Sequence, residues 1–111
     1  MATGLEIGPL RSFLELARLG NMTRAAEALH LTQPAVSSQL ARLEGELGQP
    51  LFDRTPSGML LTRAGETFRG YVEDVFHRLD AARDAIDELA GLERGALAIG
   101  GGATATTYLL P

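Results

Sequence analysis

Apolar residues recur at steps of three and four in three short segments near the start of the chain, a pattern typical of amphipathic helices. The first segment runs from about Gly8 to Leu19, the second from Thr23 to Leu29, and the third from Thr32 to Gly48. In the first segment, the repeat predicts a helix with a core-facing stripe of Leu10, Phe13, Leu14 and Ala17. Gly20 follows at once, where a helix commonly ends.

The second and third segments are separated by a tight polar joint, and together they predict a helix-turn-helix. Ala25 and Ala26 are small, so a neighbouring helix can approach the second segment closely. Thr32 suits the N-cap of the third helix, and Pro34 is tolerated in a first turn. Gly48 marks the end of that helix.

The third helix has two different faces. Its apolar positions, which face the core at helical spacing, are Val36, Leu40, Leu43 and Leu47. The opposite face is small and nearly uncharged, with Ala35, Ser38, Ala41 and Arg42 at its centre and Gln33 and Ser37 on its flanks. Short side chains suit a helix that enters a DNA major groove about 12 Å wide. An ordinary solvent-exposed face is the alternative interpretation of the same residues.

After the third helix, Leu51 and Phe52 return the chain to the core, and a polar stretch precedes a second apolar segment. Pro56 and Gly58 bracket a turn in this stretch, so we predict a short β-hairpin, or wing. Arg54 stands where a wing reaches a phosphate or the minor groove. The predicted fold is therefore mainly α: a winged helix-turn-helix of three helices and a hairpin over residues 1–62.

A long helix is predicted next, from Arg63 to about Ala90 and about 42 Å long, with Thr62 as its cap. Its apolar positions are spaced 4-3-4-3-4-3, a heptad seam of Phe68, Val72, Val75, Leu79, Ala82, Ile86 and Leu89. One small domain cannot bury so long a stripe, so the pattern predicts a homodimer through this helix. The alternative is a lone helix lying back on its own domain. The spacing leaves parallel and antiparallel pairing open.

At the start of residues 92–111, Gly91 and Gly95 flank a short segment in which the helix is expected to loosen. The apolar run Ala96–Ile99 then predicts a buried strand that leads into the glycine triplet at 100–102. A triplet of this kind is only a weak sign of phosphate binding, because neither G-x-G-x-x-G nor a Walker lysine accompanies it.

Charge bears on the DNA hypothesis, since the net charge is −4. Residues 1–62 hold five Arg against six Asp and Glu, whereas residues 63–91 hold four Arg against seven. Every basic residue is Arg, the side chain best suited to bidentate phosphate or guanine contacts. Non-specific DNA affinity should therefore be modest and sensitive to salt. Arg11 and Arg18 are interpreted as solvated surface charges, with phosphate contact as the less favoured alternative.

Composition limits the other classes of function. The 111 residues contain no cysteine, so neither disulfides nor thiolate metal sites are expected. His30 and His77 each stand without a second ligand nearby, and no metal or cofactor is predicted in this chain. No secretory signal or membrane-spanning run is visible, which predicts a cytoplasmic protein. The motifs of common enzymes are absent, so an enzyme is disfavoured. A coiled-coil interaction module would leave the polar face of the third helix unexplained.

The run TRAAEALHLTQPAVSSQLARLEGELGQPLFDRT, followed by LTRAG, resembles the DNA-binding domain of LysR-type bacterial transcription regulators. The resemblance implies double-stranded DNA as partner, a second motif helix that reads the major groove, and antiparallel linker helices. Ser38 departs from the pattern, since many relatives carry Arg there. The predicted DNA-binding residues are Thr23, Arg24, Thr32, Gln33, Pro34, Ala35, Ser37, Ser38, Arg42 and Arg54.

The ending IGGGATATTYLLP resembles the first strand and helix start of the effector-binding domain of that family. The resemblance implies a small-molecule effector for the full-length protein, with Thr104 as a candidate contact and with assembly beyond the dimer, to a tetramer. Gly102 lies where relatives often have Ser. The chain is thus interpreted as the N-terminal piece of a longer regulator, with a winged domain (1–62), a linker helix (63–91) and a truncated effector domain (92–111).

Overall fold

The computed structural model describes the backbone of residues 4–99 and the side chains of residues 4–92. The chain divides into two compact units, Met1–Glu73 and Asp74–Pro111. In chain order the elements are α1 (Ile7–Leu19), α2 (Met22–Leu29), α3 (Gln33–Leu47), β1 (Phe52–Thr55), β2 (Gly58–Leu61) and α4 (Arg63–Ile99). This order confirms the predicted mainly α fold with a helix-turn-helix and a hairpin wing.

The helices α2, α3 and α4 each begin at a residue whose side chain accepts a hydrogen bond from a first-turn amide. The Asn21 side chain accepts a hydrogen bond from the Arg24 amide at 2.9 Å and caps α2. Thr32 caps α3 in the same way, and the Thr62 hydroxyl accepts from the Gly65 amide at 3.0 Å at the start of α4. Gly48 ends α3 with φ of 68°, a left-handed conformation that glycine adopts without steric penalty.

The core of the first unit lies where α1 meets α2, α3 and the wing. The Phe13 ring packs against those of Phe52 and Phe68, with centroids 5.5 and 5.1 Å away. Leu16 is fully buried, although the predicted α1 stripe omits it and includes Leu14 and Ala17, which are only half-buried. The stripe differs from the prediction because α1 packs against elements on more than one side.

The wing and the start of α4 are fastened to the helices by backbone contacts. The Met59 amide donates to the Gly20 carbonyl at 3.0 Å, which ties β2 to the turn between α1 and α2. A Cβ on Gly58 would lie 2.5 Å from that same carbonyl oxygen, so this approach requires glycine. The Thr62 hydroxyl also donates to the Pro50 carbonyl at 2.7 Å. The wing therefore has a fixed position relative to α2.

Three further sequence predictions about the fold are wrong. Leu47, predicted in the core, is 37% exposed at the last residue of α3; it lines an open cleft with Leu51, Phe68 and Tyr71. The strand predicted at Ala96–Ile99 is instead the end of α4, and the helix does not stop near Ala90. A strand needs a neighbouring strand to pair its backbone groups, whereas each helical residue pairs within its own segment.

In the second unit, α4 runs on from Asp74 and keeps large apolar side chains exposed, at 40% for Val75 and 63% for Ile86. Within this unit, residues 74–99 of the helix extend over about 39 Å. Within residues 4–99, no helix combines the length and the apolar character needed to cross a bilayer.

Candidate nucleic-acid interface

The first turn of α3 places polar side chains on an exposed surface. The Thr32 hydroxyl accepts from the Ala35 amide at 3.2 Å, and Pro34 follows in the first turn. Gln33, Pro34 and Ser38 are exposed, while Ala35 and Ser37 are half-buried. The predicted outward face of α3 is therefore open at its N-terminal half.

A hydrogen bond between α2 and α3 holds the Gln33 side chain in place. The Gln33 amide nitrogen donates to the Thr23 hydroxyl at 2.9 Å, which connects the first turns of the two helices. Its amide oxygen has no protein donor within the described residues, so this group can accept a hydrogen bond from a ligand. Arg24, one residue further along α2, is also exposed. The capping residue Asn21 sets the start of α2, and the sequence contained this signal, because Asn is a favoured N-cap.

The wing brings Arg54 to the same surface. Arg54 pairs with Met59 across the hairpin and is exposed. The turn of the hairpin is closed by the Thr55 hydroxyl, which donates to the Gly58 carbonyl at 2.9 Å and accepts from the Ser57 amide at 3.1 Å. The Arg54 guanidinium has no hydrogen-bond or ion-pair partner within residues 4–92. This cation is available to an anionic ligand.

Two adjoining depressions connect the helices to the wing. The first, about 540 Å³, is lined by Met22, Gln33, Pro34, Ser37 and Arg54. The second, about 240 Å³, includes Thr23 and Arg54 together with the turn before α2 and the base of the wing. The structure thus brings the start of α2, the start of α3 and the wing arginine together around one polar surface.

Arg42 lies apart from this group. It lines neither depression, and its guanidinium forms an ion pair with the Glu6 carboxylate at 2.8 Å. No pattern in the sequence indicates this partner, because the two residues are 36 positions apart. Of the predicted DNA-contacting arginines, which all lie within the described residues, Arg42 is the one with an ion-pair partner.

The predicted dimerisation seam is divided between the two units. Phe68 packs on Phe13, and Val72 is 2% exposed, so these two residues belong to the core of the first unit. A seam available to a second chain therefore begins later than the heptad spacing predicts. Its remaining members are exposed in the second unit: Val75, Leu79, Ala82, Ile86 and Leu89.

The candidate effector contact, Thr104, lies outside the described residues. Among residues that the structure describes, no group of three or more His, Asp or Glu side chains is placed to hold a metal ion. His30 is the C-cap of α2 and adopts a left-handed backbone with φ of 57°.

Comparison with known proteins places this geometry in a family. A model described as the bacterial regulatory helix-turn-helix protein of the lysR family matches residues 7–66. The RuBisCO operon transcriptional regulator of Acidithiobacillus ferrooxidans is 41% identical over 102 residues, which cover 92% of this chain and 33% of that protein. The probable RuBisCO transcriptional regulator of Cyanidioschyzon merolae is 38% identical over 102 residues, again 92% of this chain and 34% of that protein. The chain spans about a third of the length of these relatives.

Among solved structures, the crystal structure of the CbnR_DBD–DNA complex matches with a TM-score of 0.72 and 32% sequence identity. The match covers 78% of this chain and 99% of that chain. The family model spans α1, α2, α3, the wing and the first turn of α4, which is more than half of the sequence. This chain therefore belongs to the lysR family of bacterial regulatory helix-turn-helix proteins.

Proposed function

We propose that this chain binds double-stranded DNA through α3 and the wing, as the DNA-binding part of a LysR-type transcription regulator. One observation carries the proposal: Gln33, Pro34, Ser37 and Arg54, together with Met22, line a single open depression. A helix beside an arginine-bearing hairpin suits a duplex, because the helix fits the major groove while the arginine reaches a phosphate or the narrower groove. The similarity to the CbnR_DBD–DNA complex supports this assignment.

Within this interface, the residues have different roles. Gln33 and Ser37 contact base edges, with Gln33 held by Thr23 so that its amide is oriented before DNA arrives. Ser38 is exposed beside them and lacks the length to reach a base as an arginine would. Thr32, the first amides of α3, and Arg24 contact the phosphate backbone, which fixes the register of the helix. Arg54 supplies the contact from the wing.

The exposed stripe on α4 supports a homodimer. Leu79, Ile86 and Leu89 are between 49% and 63% exposed and share one side of the helix. Burying such a stripe against a second copy removes apolar surface from water, which favours association. A dimer would present two winged domains to two half-sites, so its DNA site should contain an inverted repeat.

The longer protein is proposed to respond to a small-molecule effector and to act in the cytoplasm, without catalysis. The relatives' greater length supports a further domain for such a ligand, since this chain spans about a third of them. Thr104 remains the candidate contact from the sequence. The assembly of the longer protein into a tetramer is part of the same proposal.

Affinity selection tests the DNA proposal. Genomic DNA fragments are passed over the immobilised chain at about 0.15 M salt with an excess of random-sequence duplex, and the retained fragments are sequenced. Specific sites typically bind 10³–10⁷-fold more tightly than random DNA, so a small set of fragments sharing an inverted repeat should be enriched. Retention of fragments in proportion to their abundance would refute sequence-specific binding.

A further inference from the structure

The N-terminal segment of the chain lies against the C-terminal half of α3. Glu6, the N-cap residue of α1, forms the 2.8 Å ion pair with Arg42. Two residues earlier, the Gly4 backbone approaches the Glu46 side chain so closely that a Cβ would overlap that carboxylate. Arg42 and Glu46 are one helical turn apart, so residues 4–6 run beside one stretch of α3.

The Glu6 carboxylate binds the Arg42 side chain and does not cap its own helix, α1. The shorter Asp commonly accepts a hydrogen bond from a first-turn amide at an N-cap, whereas Glu6 makes no such bond. Its backbone is extended, with φ of −115° and ψ of 154°, and its carboxylate reaches across to α3. The pair is open to solvent, since the two side chains are 61% and 60% exposed. A DNA phosphate near this end of α3 would compete with Glu6 for the guanidinium.

We propose that Glu6 withholds Arg42 from DNA phosphates and so lowers the affinity of the chain for DNA of any sequence. The inference rests on the proposed function. Arg42 is one of five arginines in residues 1–62, so its neutralisation removes a fifth of the cations of that region. Base-contacting residues at the start of α3 lie outside the pair and keep their contacts. Because a phosphate contact carries no sequence information, Glu6 lowers specific and non-specific affinity by a similar factor.

The size of the effect follows from counterion release. Each phosphate contact contributes about 0.9 to the slope of log K against log salt concentration on B-DNA. If Glu6 suppresses one contact, removing its charge should steepen that slope by about 0.9. The variant and wild type should bind about equally at about 1 M salt. At about 0.1 M salt, one decade lower, the steeper slope should make the variant bind about eight-fold more tightly than wild type.

The test compares Glu6→Gln with wild type in binding to a fluorescent 30-base-pair duplex of random sequence, from about 0.05 to 0.3 M KCl. Anisotropy should show about eight-fold tighter binding at 0.1 M and the steeper slope. Glu73→Gln is the matched control, because it also removes one negative charge and the carboxylate partner of an arginine, Arg69, at 3.4 Å. No residue of the candidate interface lies on α4, so this control should change binding little.

A double substitution assigns the effect to the pair. In an Arg42→Ala background, Glu6→Gln should change affinity no more than Glu73→Gln does. If Glu6→Gln behaves like the control in the wild-type background, or weakens binding, the inference is overturned. If neither wild type nor Glu6→Gln binds the random duplex, the inference is overturned, whereas the proposed function is refuted only by the affinity selection on genomic fragments. Circular dichroism checks that Glu6→Gln keeps its helix content. If helix is lost, Glu6→Ser is used instead, because it removes the same charge with a favoured N-cap residue. The same results then support or overturn the inference.

Discussion

Gly65→Ala should strongly destabilise the winged domain, because α4 begins in close contact with the segment before β1. A Cβ at position 65 would overlap the Leu51 carbonyl oxygen and would lie 2.9 Å from Cδ2 of Leu61. Leu51 is fully buried, and its carbonyl accepts the Thr62 amide at 3.0 Å. The added methyl group therefore meets backbone that is already held in place.

The magnitude follows from two opposing effects. Overpacking a fixed site costs about 1–3 kcal/mol, and the upper end applies because the obstacle is a hydrogen-bonded carbonyl. Replacing glycine by alanine inside a helix returns about 1 kcal/mol. Gly65→Ala should thus lower the free energy of unfolding by about 2 kcal/mol. At Gly70, five residues along α4, a Cβ meets nothing within 4 Å, so Gly70→Ala should raise that free energy by about 1 kcal/mol.

Thermal unfolding followed by circular dichroism compares the two variants at one protein concentration, since association shifts Tm. For a domain of this size, 1 kcal/mol corresponds to about 4–8 °C in Tm. The two variants should therefore melt at least about 12 °C apart, with wild type between them. Equal changes in Tm for Gly65→Ala and Gly70→Ala would refute the close packing of α4 on Leu51.

Three further predictions concern DNA binding and assembly. Gln33→Ala should weaken binding to a selected site about ten-fold or more, because a bidentate base contact discriminates by about 1–3 kcal/mol; equal loss on random DNA would contradict base readout. Arg54→Ala should reduce the salt slope by about one phosphate equivalent, and an unchanged slope would make Arg54 an ordinary surface residue. Leu79→Asp should give monomers in sedimentation with the winged domain still folded, and should lose up to 10²–10⁴ in site affinity through lost bivalency. A dimeric Leu79→Asp chain would show that the α4 stripe is not the dimer contact.

Local signals allowed much of the fold to be predicted from the sequence. Thr32, Gly48 and Thr62 each act on neighbouring backbone groups, so the residue type at the position reveals the helix end. Gln33 and Arg54 were each predicted to contact DNA, Arg54 with support from the family resemblance, and the structure brings them to one depression. His30 was not predicted as a left-handed cap, since glycine is the usual residue in that conformation.

Features that depend on distant parts of the chain were not predictable in this way. The heptad spacing includes Phe68 and Val72 in the same stripe as Leu79, and spacing does not reveal that the first two pack within the winged domain. The Glu6–Arg42 pair joins residues without any periodic relation. The end of α4 was misplaced because Ala96–Ile99 has a composition that suits either a helix or a strand, and only the presence of a partner strand decides between them.

The most direct test of the central claim is to map where DNA contacts the chain. The ¹⁵N-labelled protein is titrated with a duplex recovered from the affinity selection, and amide shifts are followed residue by residue. The largest changes should fall on Thr32–Ser38, on the start of α2 and on Arg54, with small changes from Asp74 onward. Changes concentrated on α4, with residues 32–38 and 54 unaffected, would contradict the assignment of α3 and the wing as the DNA-binding surface.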